Sequence, residues 1–176
     1  NGKCERCKNE VVQRELEQWF FKITDFAEDL IKDIQGVDWP ESTVLNQLNW
    51  IGKSEGALIK FPISNSQFSI DVFTTRPDTL YGATYMVLAP EHPLISNLKS
   101  QISNLEEVEH YIENASKKTE LERTELVKEK TGVELKGLKA VNPATKEEIP
   151  IFIADYVLAN YGTGAIMAVP AHDERD

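Results

Sequence analysis

Hydrophobic residues recur at three- and four-residue steps in the first part of the chain. Between residues 10 and 34 this spacing predicts one amphipathic helix with a wide aromatic stripe, and Gly36 is a stop signal. Such a stripe predicts the face of a helix that packs on a large apolar surface. A short helix is expected over 44–48, and the small and polar residues of 49–57 indicate a linker. The stripe consists of Val12, Leu16, Trp19, Phe20, Ile23, Phe26, Ala27, Leu30, Ile31 and Ile34.

From residue 57 onward the pattern becomes that of β-strands. Residues 58–63 and 67–73 are expected to pair as a hairpin, because apolar and polar residues alternate in the second segment. The continuous apolar run 85–89 predicts a strand buried on both faces. Further strands are expected at 133–138, 149–157 and 163–169.

Helical composition returns twice within this strand-rich part. A short helix is expected to start at 91–94, where Pro93 is tolerated in the first turn. Residues 104–130 are rich in glutamate, which favours solvated surface helices over an acidic binding site. Taken together, the elements predict an α+β fold with a helical lead-in.

Composition narrows the class of protein. The chain has 176 residues, 41% of them hydrophobic and 27% charged, which is enough apolar material for a packed core. No apolar run approaches the roughly 20 residues that a membrane helix needs, and no signal segment opens the chain. The formal net charge of -10 disfavours extended contacts with a phosphate backbone, which draw on clustered lysine and arginine.

Cysteine occurs only at Cys4 and Cys7. The Cys-x-x-Cys spacing is that of half a zinc site, whose other two ligands would come from elsewhere. The alternative is a pair of reduced surface cysteines, and within this chain that interpretation is favoured, because no second pair and no nearby histidine accompanies them.

Two polar stretches follow predicted strands. Residues 74–79 combine three threonines, an arginine and an aspartate. Residues 162–176 run an apolar strand into Pro170 and then a series of polar groups. Because strand ends hold side chains rigidly above a cleft, both stretches are candidates for one functional site.

The sequence resembles bacterial leucyl-tRNA synthetase. Five segments carry the resemblance, in the order the family has them and over nearly the whole chain. They are Gln18–Thr24, Trp39–Glu41, Asn49–Ala57, Thr74–Tyr81 and Gly162–Asp176. Valyl- and isoleucyl-tRNA synthetases share the threonine-rich and His-Asp motifs, whereas the Trp-Ile-Gly-Lys-Ser-Glu-Gly segment favours the leucine enzyme.

The resemblance implies an organisation and an activity. Residues 1–52 would belong to the synthetase core beside its zinc module and to a linker. Residues 53–176 would form the amino-terminal part of a barrel-like mixed-sheet editing domain that continues past Asp176. The editing domain hydrolyses mischarged tRNA(Leu), carrying isoleucine, norvaline or a similar amino acid, and this reaction needs no cofactor.

The resemblance also implies partners for the parent enzyme. That enzyme would join leucine to tRNA(Leu) with ATP and magnesium, would contain zinc, and would be a cytoplasmic monomer without membrane contact. Both ATP-site signatures of the family, of the His-Ile-Gly-His and Lys-Met-Ser-Lys-Ser types, are absent from this sequence. The chain alone is therefore not expected to activate leucine.

The resemblance assigns the central site roles to four residues. Asp176 would pair with the α-ammonium group of the substrate, because such an ion pair is charge-assisted. Thr79 would block the branched tip of leucine. The hydroxyl groups of Thr74 and Thr75 would serve the terminal ribose, the ester carbonyl or the attacking water.

Further candidates would surround these four residues. Arg76 and Asp78 are expected to brace the loop around Pro77. Tyr161 and Met167 would line the amino-acid pocket, and His172 and Asp173 would lie near the substrate. The general base stays open between His172 and a positioned water assisted by a substrate hydroxyl group.

Three other interpretations compete with an editing enzyme. The chain could be a noncatalytic fragment that docks tRNA or a protein partner. It could come from the editing domain of a valyl- or isoleucyl-tRNA synthetase. It could also be an inert α+β domain, which would require the five segment matches to arise by chance.

Overall fold

The computed structural model describes residues 3–9, 11, 16–124, 130–173 and 176, with no account of the side chains at 121 and 124. The chain divides into two compact units, Asn1–Glu55 and Gly56–Asp176. The candidate site residues from Thr74 to Asp176 all lie in the second unit.

The predicted helix over 10–34 is wrong at residue 11 and over residues 16–22, which are the described residues of its first half. Residues 16–22 have no regular structure, and helix begins at Ile23 with a 3-10 turn that continues into α1 (Ala27–Asp33). The expected core face is also wrong, because among the described residues of this stripe only Ile34 is buried, whereas Trp19 and Phe20 are exposed. An amphipathic helix gains most of its stability from a packed apolar face, and in the described part of the chain the aromatic side chains of residues 19–21 are exposed. Val12 lies outside the described residues.

The second helix is longer than predicted. Helix α2 (Glu41–Ile51) begins after Pro40 and ends at Gly52, whose φ of 64° is the left-handed conformation that glycine favours at a helix end. The linker expected over 49–57 therefore begins three residues later than predicted, because residues 49–51 form the last turn of α2.

The second unit starts with the predicted hairpin. Strands β1 (Ala57–Pro62) and β2 (Ser69–Thr74) pair antiparallel with Ala57 opposite Thr74. A single bridge joins Ile63 to Ala140 of a later strand. The alternation expected in the second strand is confirmed, since Ile70 and Val72 are buried.

A mixed four-stranded sheet holds the rest of the strands. Their spatial order is β4-β5-β3-β6, with β3 parallel to β5 and antiparallel to β6. Strands β4 and β5 pair antiparallel around a bulge. Residues 155–157 form a turn and not the predicted end of β5. The strands are β3 (Tyr85–Leu88), β4 (Gly132–Val141), β5 (Glu148–Ala154) and β6 (Ala165–Ala168).

Both faces of β3 are buried, as the apolar run predicted. Met86 and Leu88 belong to the main hydrophobic core, while Val87 and Ala89 pack into a smaller cluster on the opposite face. The main core also takes its largest fully buried side chain, Phe61, from the first hairpin. The hairpin and the four-stranded sheet therefore share one core.

Three α-helices flank the sheet in the described part of the second unit. They are α3 (Pro93–Leu98), α4 (Leu105–Ser116) and α5 (Glu120–Thr124). The glutamates of α4 are exposed, as expected for solvated surface helices. Glu125 and Glu129 lie outside the described residues. Across the described part of the chain, no helix has the length and apolar character needed to cross a membrane.

The α+β class is confirmed, but the barrel-like form is not. Among the described residues the strands form one two-stranded and one four-stranded sheet, and the ladder does not close. β2 lies beside β6 without a strand ladder between them. This neighbourhood brings the ends of β2 and β6, and the polar stretches that follow them, to one region of the unit.

Replacing Gly137 by alanine is expected to lower the free energy of unfolding by about 2 kcal/mol. Gly137 has a φ of 99°, and a Cβ there would lie 2.6 Å from the carbonyl oxygen of Gln101. Gly162→Ala is the matched control, since Gly162 has a φ of 60° but open space around it. Urea unfolding of the three proteins would measure the difference, and equal losses for both variants would contradict the steric argument.

Candidate functional site

The first polar stretch contains an ion pair directly after β2. The Arg76 guanidinium donates from Nε and Nη2 to the two carboxylate oxygens of Asp78, at 3.0 and 2.9 Å. This bidentate bond from Arg76 holds the pKa of the exposed Asp78 carboxyl below its ordinary value. Pro77 stands at the start of the 3-10 helix Pro77–Gly82, where its fixed φ suits a helical first turn. Arg76 and Asp78 are thus joined across Pro77, which is the pairing that the predicted brace of the loop requires.

Two threonines of this stretch are fixed by backbone groups. Thr79 is buried, and both its backbone N–H (3.1 Å) and its hydroxyl group (2.9 Å) donate to the carbonyl oxygen of Arg76. Because its hydroxyl proton is committed, Thr79 presents bulk to its surroundings and not a hydrogen-bond donor. The hydroxyl oxygen of Thr74 accepts from the backbone N–H of Arg76 at 3.0 Å.

Thr74 is also approached closely from the start of β1. A Cβ at Gly56 would lie 2.4 Å from the carbonyl oxygen of Thr74, so only glycine lets the two backbones come so near. Thr75 is exposed, and within the described ranges no hydrogen bond involves its hydroxyl group. Thr75 is thus open to solvent while its neighbours are held.

The second polar stretch turns back on the end of β6. The backbone N–H groups of His172 and Asp173 both donate to the carbonyl oxygen of Val169, at 2.8 and 3.1 Å. The backbone N–H of Val169 donates to Oδ2 of Asp176 at 2.7 Å. His172 is exposed and Asp173 half-buried. The Asp176 carboxylate is therefore held at the point where the strand ends.

Tyr85 also contacts Asp176. Its hydroxyl group donates to the Asp176 backbone oxygen, and its ring packs edge-on against Phe152 at 5.5 Å between centroids. Burial, with a smaller contribution from the negative charge of Asp176, raises the pKa of the Tyr85 hydroxyl. The phenol therefore stays protonated at neutral pH and remains a donor.

The two stretches approach each other at Val169. A Cβ on Gly82, the last residue of the helix that carries Thr79, would lie 3.1 Å from Cγ1 of Val169. The charge of His172 also acts on the Asp78 carboxyl and contributes to its lowered pKa. One residue, Val169, thus touches the helix of Thr79 with its side chain and holds Asp176 with its backbone.

Two predicted lining residues have different surroundings. Met167 lies in β6 opposite Met86 and belongs to the main core, with 9% of its surface exposed. Tyr161 lies in the loop before β6 and is 82% exposed. Its backbone carbonyl accepts from the N–H of Gly164, which closes a turn at that loop. Glu174 and Arg175 lie outside the described residues.

Cys4 and Cys7 are both free thiols. Hydrogen bonds from the backbone of Cys7 and Arg6, and from the Cys7 side chain, lower the pKa of Cys4. A lowered thiol pKa suits a metal ligand. Across the described ranges, however, no third histidine, cysteine or carboxylate joins them, whereas structural zinc takes four ligands.

Three residues that contact the site residues were not predicted to do so from the sequence. Gly56 approaches Thr74, Tyr85 contacts Asp176, and Val169 lies against both Asp176 and the helix of Thr79. No local pattern in the sequence indicates these partners.

A comparison with known protein families identifies the family of this chain. Residues 48–176 match the family model described as "Leucyl-tRNA synthetase, editing domain". The chain belongs to the leucyl-tRNA synthetase editing-domain family. The match covers both polar stretches of the site, and the leucine branch is thereby confirmed against the valyl and isoleucyl alternatives.

Relatives of leucyl-tRNA synthetase type extend the similarity over the whole chain. The chain is 57% identical over 176 residues to a leucine–tRNA ligase of Alkaliphilus oremlandii, and 53% identical to one of Clostridium perfringens. These alignments cover 100% of this chain but 22% and 21% of the two relatives. The chain thus spans about a fifth of the length of the curated relatives it matches.

A solved structure shares the fold. It is the ternary LeuRS-tRNA-LeuAMS complex from Agrobacterium radiobacter, with a TM-score of 0.76 and 37% sequence identity. The similarity covers 99% of this chain and 21% of that one. Sequence and fold therefore agree on membership in the leucyl-tRNA synthetase editing-domain family.

Proposed function

We propose that the chain hydrolyses the ester bond between a wrong amino acid and the 3′ end of tRNA(Leu), as the editing site of a leucine–tRNA ligase. The observation that carries the proposal is the junction at Val169. There the fixed carboxylate of Asp176 and the helix of the buried Thr79 meet one residue. A charge that binds an ammonium group and a side chain that limits pocket size are two of the requirements of a second sieve.

The need for such a site follows from energetics. A pocket separates amino acids that differ by one methylene group by only about 1–3 kcal/mol, or roughly 10–200-fold. With so little discrimination, the wrong amino acid is attached to tRNA often enough that a second site must hydrolyse the mischarged tRNA. A site that hydrolyses every ester except the leucyl ester gives this second selection.

The reaction adds water to the ester carbonyl carbon. The bond to the ribose oxygen then breaks, and the proton lost by water ends on that oxygen, which gives free amino acid and uncharged tRNA. Asp176 would bind the α-ammonium group, while Thr74 and Thr75 would orient the ribose or the water. Positioning and stabilisation of the developing oxyanion would account for most of the acceleration.

The roles of the other site residues follow from their positions. Arg76 and Asp78 would keep the loop of Thr79 in one conformation, and Tyr161 and Met167 would border the amino-acid pocket. His172, near Asp78, would act beside the substrate together with Asp173. Either His172 or a hydroxyl group of the substrate would assist the attacking water.

The whole enzyme would use further groups. We propose that it attaches leucine to tRNA(Leu) with ATP and magnesium, acts as a monomer in the cytoplasm, and completes a zinc site around Cys4 and Cys7. Residues 1–52 would belong to its core and linker, and residues 53–176 to its editing domain. The names of the curated relatives, all leucine–tRNA ligases, support this assignment.

The test uses the full-length leucine–tRNA ligase that carries this chain. Preformed isoleucyl-tRNA(Leu) is expected to release isoleucine at least about 10²-fold faster than leucyl-tRNA(Leu) releases leucine, within the range of a steric sieve. Release of isoleucine no faster than in buffer would contradict the proposal. The same result with measurable tRNA binding would instead favour a docking function.

A further inference from the structure

Asn142 makes an unusual set of contacts for a residue in a turn. It lies between β4 and β5 and is 1% exposed. Both polar atoms of its side chain form hydrogen bonds with backbone groups. Its Oδ1 accepts from the N–H of Ala144 at 2.9 Å and from that of Thr145 at 3.4 Å. Its Nδ2 donates across the unit to the carbonyl oxygen of Leu80 at 2.9 Å.

Leu80 directly follows Thr79 in the 3-10 helix Pro77–Gly82. Helices of this kind are short and bond weakly, so their position depends on contacts from outside. The Asn142 amide and the packing of Gly82 on Val169 are two such contacts. The amide is the directional one, because a hydrogen bond fixes both the distance and the angle of the Leu80 carbonyl.

We propose that Asn142 is a positioning residue for amino-acid discrimination. Through its hydrogen bond to the Leu80 carbonyl, it fixes how far the Thr79 side chain extends into the amino-acid pocket. The inference rests on the proposed editing function. A steric sieve depends on the location of one side chain to within a fraction of a methyl group. Displacements of about 1 Å in such positioning change rates by about 10²-fold.

The alternative is that Asn142 only completes its own turn. The two roles use different atoms of one amide, since the turn needs the acceptor Oδ1 and the helix needs the donor Nδ2. Asn142→Asp preserves shape and acceptor and removes the donor, while its second oxygen repels the Leu80 carbonyl. Asn142→Ser removes Nδ2 without adding a buried charge, and its hydroxyl group, one bond shorter, keeps an oxygen that accepts hydrogen bonds on the side of the turn.

Asn104 supplies a matched control. Its Nδ2 donates to the carbonyl of Glu134 at 2.9 Å, and its Oδ1 accepts from the N–H of Lys136 at 3.1 Å. Asn104→Asp therefore breaks the same kind of bridge between two chain segments, at the start of α4 and outside the site. Thermal unfolding of each variant reports how much stability each bridge contributes.

The experiment measures hydrolysis of isoleucyl- and leucyl-tRNA(Leu) by the full-length enzyme and its variants. Both Asn142 variants are expected to raise leucyl-tRNA hydrolysis about tenfold, or about 1.4 kcal/mol, while isoleucyl-tRNA hydrolysis falls less than about threefold. Asn104→Asp is expected to leave the ratio of the two rates unchanged. A double variant with Thr79→Ala should show no further rise, because Asn142 acts through Thr79.

Three results would overturn the inference. An unchanged ratio in both folded Asn142 variants would assign the residue to its turn alone. Additive effects in the double variant would separate Asn142 from Thr79. Failure of both variants to fold would make Asn142 a residue of general stability. Absence of isoleucyl-tRNA hydrolysis in the unmodified enzyme would instead contradict the proposed function itself.

Discussion

Replacement of Asp176 by asparagine is expected to slow hydrolysis of isoleucyl-tRNA(Leu) by about 10²-fold in the full-length enzyme. The ion pair with the α-ammonium group is charge-assisted, and hydrogen bonds to charged groups contribute about 1.5–3 kcal/mol. Asparagine keeps an oxygen that accepts from the N–H of Val169, so the turn after β6 is retained. Initial rates of deacylation at saturating and limiting substrate would measure the loss.

Asp155→Asn separates this effect from a general loss of a carboxylate. Asp155 is buried and paired with Lys118, away from the site, so its variant should lose stability and keep the deacylation rate. Both variants should attach leucine to tRNA at the unmodified rate. An Asp176→Asn enzyme that deacylates within about threefold of the unmodified enzyme would remove Asp176 from substrate binding.

Thr79→Ala is expected to make the enzyme hydrolyse its own correct product. Thr79 is 8% exposed, and its hydroxyl proton is donated to the Arg76 carbonyl, so the side chain acts by its bulk. Removing that bulk would admit the branched tip of leucine. Leucyl-tRNA hydrolysis should rise by about 10–10²-fold, the range that one or two methylene groups command in a pocket.

Two substitutions at the same position test the steric explanation. Thr79→Val keeps the volume and loses the hydrogen bond to Arg76, and it should still protect leucyl-tRNA. Thr79→Ser keeps the hydrogen bond and loses the methyl group, and it should admit leucine in part. If valine opens the pocket as far as alanine does, the hydrogen bond and not the bulk of Thr79 sets the discrimination.

The strands of the second unit were largely predictable, because a buried face of a strand requires apolar residues at regular positions along the sequence. Alternation in β2 and the apolar run of β3 correspond to one and two buried faces. The prediction of a helix from the aromatic stripe before Ile34 was wrong in part. The spacing of that stripe predicts a helix only where an apolar surface covers it. In the described residues Trp19 and Phe20 remain exposed and that part of the chain has no helix.

The candidate site was likewise predictable only in part. Residues 74–79 and 162–176 stand out as motifs, and their family match identifies the editing domain. The brace between Arg76 and Asp78 was expected because Pro77 fixes a turn between them. The barrel-like form that the resemblance implied is wrong for the described residues, because closure of a sheet depends on pairings between strands that are distant in the chain.

By itself, the sequence determined the kind of elements, the α+β class, the family and the residues worth testing, because periodicity and motifs are local. Only the tertiary structure decided that β3 lies parallel to β5 and that β2 lies beside β6. It also decided that Val169 holds Asp176, and that the Asn142 amide reaches Leu80 across 62 residues of chain. The physical reason is that a buried polar group must find a partner somewhere in the fold, and the neighbours along the chain do not indicate where.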